Sequence, residues 1–184
     1  MTTDEQLYSR FLHGENDALD ELLIRHKDGL TWFLYGIVKD LEDAEDLMMD
    51  TFALLISKKV NFKNNSTFKT WLYGIGRNLS KKHIRKKAYA NERTAMLIQE
   101  QMQSISSDND LLTELINARD TKMFYEALGT LKEEYSTVLY LQYIENLDTE
   151  TMAKIMRKST KQIYNLAARA KVALKKEIEM LEDK

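Results

Sequence analysis

The chain has 184 residues, 43% of them hydrophobic, and its 27 lysines and arginines nearly balance 29 aspartates and glutamates, for a formal charge of −2; that allows one large domain or two small ones with packed cores. There is no cysteine, which excludes disulfides and thiolate metal sites; with no basic-then-apolar leader and no run of roughly 18 apolar residues, neither secretion nor membrane insertion is expected, and a cytoplasmic location is. With no proline and six glycines, turn chemistry is scarce and long helices are favoured, so the expected fold is all-α.

Asp4–His13 reads as a short helix and Asp17–Val38 as a long one, with Leu19, Leu22, Leu23, His26, Leu30, Phe33, Leu34 and Ile37 near one face. Asp40 or Glu42 opens a third helix whose apolar stripe is Ala44, Leu47, Met48, Phe52, Leu55 and Ile56. Residues 1–57 carry a net charge of −9. Within them Asp43, Asp46 and Asp50 share one helical face. Carboxylates from one helix alone make a poor metal site, and the plain reading of such a face is a solvated one.

The sign then reverses. From Thr51 to Asn91 there are ten bases and no acid, and residues 58–93 carry +10. Val60–Thr67 reads as a polar loop, with Ser66 or Thr67 capping a helix from Phe68 to about Tyr89. Its predicted apolar stripe is Phe68, Trp71, Leu72, Ile75 and Leu79, which assigns Trp71 to the core. Lys81, Lys82, Arg85 and Lys86 continue past that stripe. Residues 1–92 are expected to form a first helical domain.

Residues 93–114 lack aromatic residues and periodicity and read as a linker between two small helical domains, spanning at most about 3.3–3.6 Å per residue. The second domain, 115–184, starts near Leu115, with helices expected at Asp120–Leu128, Lys132–Ile144, Thr149–Met156 and Thr160–Leu181. Its charge alternates too, −8 over residues 94–153 and +5 over 154–184. The last two helices have the spacing of a helix-turn-helix: Asp148 or Thr149 caps the first, residues 156–159 turn, and Ser159 or Thr160 caps the second. The second buries Ile163, Leu166, Ala167, Ala170 and Leu174 and presents Lys161, Gln162, Tyr164, Asn165, Ala168, Arg169 and Val172. Such side chains at a helix start suit base edges in a major groove. Two cationic faces on an otherwise anionic chain point to a polyanion held at two places.

The segment from Asp43 to Phe52, DAEDLMMDTF, resembles the DAEDL…TF helix of the extracytoplasmic-function (ECF) sigma factors of bacterial RNA polymerase. Phe68–Asn78, FKTWLYGIGRN, is similar to their F..WL..I.RN helix, and Leu131–Leu174 resembles their C-terminal domain. The resemblance covers residues 5–90 and 120–178 in the right order. It implies two helical domains docked on core RNA polymerase, the first recognising and opening the promoter −10 element and the second binding the −35 element as duplex. It also implies that an anti-sigma factor is a common partner.

On that basis Asp43, Glu45, Asp46, Met49 and Asp50 are the candidate polymerase contacts. Trapping an unstacked base needs hydrogen bonds to its edge and an apolar or aromatic wall. Asn64, Asn65, Ser66 and Thr67 supply the first; Phe62 and Tyr73 supply the second. Lys81, Lys82, Arg85 and Lys86 are expected to grip phosphate, Lys63 and Arg77 are further candidate −10 contacts, and Asn78 matches the family's DNA-facing asparagine. The candidate −35 residues are Lys158, Ser159, Thr160, Lys161, Gln162, Tyr164, Asn165, Arg169 and Lys171. The chain departs from the family at Tyr164, Leu166 and Ala168, and Arg157 stands where a turn glycine is common. If that turn needs positive φ, the substitution costs about 1 kcal/mol.

No enzyme, cofactor or metal chemistry is expected. His13, His26 and His83 lack ligand spacing, and Gly74-Ile75-Gly76 sits in a helical pattern rather than a phosphate-binding loop. Two other readings compete: a dimeric helix-turn-helix regulator acting without polymerase, and a helical adaptor that binds proteins only. The first needs no acid-free block outside its helix-turn-helix, and the second needs neither cationic face.

Overall fold

The computed structural model describes residues 2–60, 62, 63, 65–92 and 120–182. The expected linker and the start of the second domain near Leu115 lie outside the described residues. Every regular element among the described residues is helical. The chain divides into two compact units, one of residues 1–84 with 154–156, the other of residues 85–153 and 157–184.

The first unit holds α1, Asp4–Leu12, α2, Asn16–Val38, α3, Leu41–Lys58, and α4, which spans Phe68–Glu92, as far as Ile84. Short-range polar chemistry sets where the helices start. Thr3 and Gln6 form a reciprocal capping box at α1. The Asp40 carboxylate accepts from the Asp43 N–H at 3.0 Å, and Thr67 Oγ1 accepts from the Thr70 N–H at 3.2 Å. Between α2 and α3, Lys39 adopts φ 61° and its N–H returns to the Tyr35 carbonyl, closing the helix end.

The core of this unit contains Leu7, Leu22, Leu30, Phe33, Leu34, Ala44, Leu55, Phe68 and Leu72, all at most 0–1% exposed. Each large side chain among them contributes roughly 1.5–3 kcal/mol of burial. The buried face of α4 differs from the predicted stripe. Phe68, Leu72, Tyr73, Gly76, Arg77 and Ser80 are buried, whereas Trp71, Ile75 and Leu79 are only half-buried. Gly76 is the reason. A Cβ there would lie 3.2 Å from both Leu30 Cδ1 and Leu34 Cδ2, so the missing side chain lets α4 lie close against α2. That close approach rotates Tyr73 and Arg77 inward.

In the second unit α5 spans Asp120–Thr130, α6 Glu133–Leu139, α7 Thr149–Met156 and α8 Thr160–Glu182. The single helix expected over Lys132–Ile144 is instead α6 followed by a π turn at Tyr140–Ile144. The Glu145 N–H reaches back to the Tyr140 carbonyl at 3.1 Å, and Leu147 N–H to Leu141 O at 3.0 Å, around Asn146 at φ 50°. Six successive residues, 136–141, are buried, four in α6 and two at the start of the π turn, so this segment is enclosed by its unit on more than one side. α8 packs on α5 and α6, burying Ile163, Ala170 and Leu174. The buried Ser136 hydroxyl donates to the Leu128 carbonyl at 2.6 Å, tying α6 to the end of α5.

Candidate nucleic-acid and polymerase surfaces

α3 presents its acids outward because its apolar residues Ala44, Leu47, Met48, Phe52 and Leu55 fill the opposite side. Glu45, Asp46, Met49 and Asp50 are exposed, Met49 at 55%. Asp43 differs: its carboxylate lies 3.2 Å from His83 Nε2 of α4 and is half-buried. The His83 ring lacks the alignment of a hydrogen bond there, so this is a contact of charge range rather than a directed bond. Sequence spacing could not find it, since the two residues belong to different predicted helices.

The loop between α3 and α4 begins at Lys59 in left-handed conformation, φ 40°. Asn64 lies outside the described residues. Lys63, Asn65 and Thr67 are exposed and Ser66 is half-buried. Phe62 is half-buried, its ring 5.1 Å from Trp71 and 6.1 Å from Phe68. It therefore anchors the loop to the unit's own aromatic cluster. Two longer contacts tie the loop ends to α1. The Tyr8 hydroxyl donates to the Val60 carbonyl at 2.6 Å, and the Phe68 N–H donates to Glu5 Oε1 at 2.8 Å. That hydrogen bond holds the Glu5 carboxyl below its ordinary range, and burial pushes the Tyr8 phenol up to about 12.

Along α4, Asn78, Lys82, Arg85 and Lys86 are exposed and Lys81 is half-buried. Their spacing of i, i+4, i+7 and i+8 puts them on one side of the helix. Tyr73 and Arg77, 1% and 3% exposed, do not join that surface. The Tyr73 ring packs tilted against Phe33, with centroids 4.9 Å apart, and the Lys69 ammonium lies 5.9 Å from its centroid. DNA would reach either residue only if the helices moved.

In the second unit the Asp148 carboxylate accepts from both the N–H and the hydroxyl of Thr151, each at 2.9 Å, which holds its carboxyl below the ordinary range. α7 ends at Arg157, φ 53°, where the N–H groups of Arg157 and Lys158 converge on the Ala153 carbonyl. The glycine-like position is thus occupied by an arginine. Ser159 and Gln162 form a capping box at the start of α8, with Ser159 N–H to Gln162 Oε1 at 2.8 Å and Gln162 N–H to Ser159 Oγ at 3.2 Å. Lys161, Tyr164, Asn165 and Arg169 are exposed together on one side of α8, Tyr164 at 71%. Thr160 is exposed at the helix start. Lys158 pairs with Glu134 at 2.8 Å, and Lys171 lies over the Tyr143 ring at 5.7 Å, so both are engaged within their own unit.

Two cationic helix faces with polar readers and one acidic face are therefore each assembled on a helical scaffold. Residues 22–89 match the family model for sigma-70 region 2, and residues 121–174 match that for sigma-70 region 4. The chain is an ECF-type member of the sigma-70 family. It is 24% identical to the RNA polymerase sigma-H factor of Pseudomonas aeruginosa over 97% of this chain and 95% of that one. It is 26% identical to the ECF RNA polymerase sigma factor SigX of Bacillus subtilis, over 86% and 81%. Among solved structures, the sigma factor RpoE of Bartonella quintana, in complex with the anti-sigma factor NepR, shares the fold with a TM-score of 0.69 at 21% identity, over 87% of this chain and 96% of that one. CnrH, in complex with the cytosolic domain of CnrY, does so at 0.65 and 20%, over 96% and 97%. As a sigma factor the chain is a transcription initiation factor, a class not typically enzymatic. The dimeric-regulator reading leaves the region 2 match unaccounted for. No helix among the described residues is long and apolar enough to cross a membrane.

Proposed function

We propose that this sigma factor divides its work between the three surfaces, acting in the cytoplasm with no catalysis of its own. Domain 1–92 binds core RNA polymerase through Glu45, Asp46, Met49 and Asp50 on α3. It reads and opens the −10 element through the loop residues 62–67 and through Asn78, Lys81, Lys82, Arg85 and Lys86 on α4. Domain 115–184, beyond the linker 93–114, binds the −35 duplex through Thr160, Lys161, Tyr164, Asn165 and Arg169. A protein of the anti-sigma class, like the NepR bound to the Bartonella relative, is a further partner.

The observation that carries this reading is the acid-free face of α4, where an asparagine and exposed bases lie in one line beside a polar loop. Phosphate-held cations give affinity without sequence, whereas the loop amides and α8 side chains supply base-edge chemistry. Asn78→Ala and the pair Lys81→Ala with Lys82→Ala are expected to reduce promoter opening, read by permanganate reactivity of unpaired thymines. Co-elution with core polymerase should be unchanged. Equal loss of both properties would place polymerase, not DNA, on this face.

A further inference from the structure

α1 lies outside every surface assigned above, yet it holds both ends of the −10 loop. Tyr8 and Glu5, one turn apart on α1, reach across 52 and 63 residues of sequence to the Val60 carbonyl and the Phe68 N–H. Between those ends the Phe62 ring rests against Phe68 and Trp71, and the Tyr8 ring lies 5.3 Å from each of the same two rings. α1 is itself fastened to α2. Asp4 takes His26 Nε2 and Arg25 Nη1, each at 2.7 Å, and Leu7, Tyr8 and Phe11 are buried. A continuous set of contacts thus runs from the α2 core through α1 to the start and finish of the loop.

We propose that α1 is a two-point clip that sets the position of the promoter-reading loop, with Tyr8 and Glu5 as positioning residues for recognition of the −10 bases. The inference rests on the reading of residues 62–67 as the base-contacting loop. Its physical content is preorganisation. A loop fixed at both ends loses less freedom when a base binds, so less of the binding free energy is lost to ordering it. The Tyr8 hydroxyl is a dependable donor because burial keeps it protonated. Glu5 supplies an acceptor to the first N–H of α4, whose own N-cap, Thr67, satisfies the Thr70 N–H instead.

The test uses holoenzyme assembled from core polymerase and the full chain, on a promoter fragment where it initiates, with each −10 base replaced in turn. Tyr8→Phe removes only the hydroxyl donor, and Glu5→Met removes the acceptor together with its charge, which Glu5→Gln also removes. A base contact commonly discriminates by about 1–3 kcal/mol, which is roughly 5- to 150-fold. The variants should compress the measured base preference toward unity by about tenfold at one or more −10 positions. Glu5→Gln, which retains an acceptor, should preserve it. Binding of core polymerase and of −35 duplex should not change. Base preferences identical to the parent's, with activity falling only in step with melting temperature, would make the clip merely structural and overturn the proposal. If Asn65→Ala and Ser66→Ala also leave the preferences unchanged, the assignment of the loop itself fails, and the two failures are thereby told apart.

Discussion

The two surfaces proposed to face DNA are built by opposite means. The α8 surface is local: a capping box at Ser159 and Gln162, a closed turn at Arg157 and a helix whose exposed side chains follow from its period. The loop and α4 surface is long-range: its ends are held by Tyr8 and Glu5 of α1, and its orientation follows from Gly76 meeting Leu30 and Leu34 of α2. A locally built reader changes with the residues it displays. A reader positioned from a distance also changes with residues that never touch DNA.

The largest effects that bear on this contrast are expected at the side chains of α8 proposed to read bases. Asn165→Ala and Arg169→Ala should each cost about 1–3 kcal/mol on the preferred −35 duplex and relax discrimination at one or two positions. This is measured by competition binding of the isolated holoenzyme to single-base variants. A uniform loss over all variants would make them phosphate contacts. Next comes alkaline stability of the first unit. Burial pushes the Tyr8 phenol up to about 12, above the ordinary tyrosine value near 10. Its stabilising contribution is therefore complete below pH 10 and lost as pH rises from about 10 toward 12, on the order of 2 kcal/mol. Thermal melts across that range should fall more steeply for the parent than for Tyr8→Phe, and parallel slopes would contradict the assigned burial. Arg157→Gly should raise the stability of the second unit by about 1 kcal/mol, because glycine adopts φ 53° without the Cβ penalty. Chemical denaturation checks the sign. The smallest effect is Lys82→Ala, which should weaken promoter binding equally across sequences and reduce the salt slope by about one.

The same contrast governs what is legible in the sequence. Asp40, Thr67, Asp148 and Ser159 are each recognisable as caps from a few neighbouring residues, and the helices they open begin where expected. Thr149–Met156 has the expected bounds, and Arg157, for which the sequence leaves positive φ only a condition, has φ 53°. Longer-range consequences are not legible in this way. Tyr73 and Arg77 read as available because the apolar stripe was drawn through Trp71, Ile75 and Leu79. The close approach at Gly76, a glycine that looked like an ordinary helical residue, rotates the helix and buries both. The π turn at Tyr140–Ile144 adds a residue per turn that a 3.6 period cannot display. Leu166, expected in the core of α8, is half-buried. The contacts from Tyr8 and Glu5, and that of Asp43 with His83, join segments with no shared pattern. Gln162 read as a base contact, yet its carboxamide accepts from the Ser159 N–H at the start of α8, a role that the Ser-x-x-Gln spacing itself encodes.

The α3, loop–α4 and α8 surfaces are proposed to act together in making core polymerase promoter-specific. Start-site mapping of transcripts made by purified core RNA polymerase on promoter-containing genomic fragments, with and without the chain, tests this most directly. A small set of defined start sites is expected that appear only with the chain and that share a −10 and a −35 element at fixed spacing. Transcripts that are unchanged by the chain, together with its failure to co-elute with core polymerase, would contradict it.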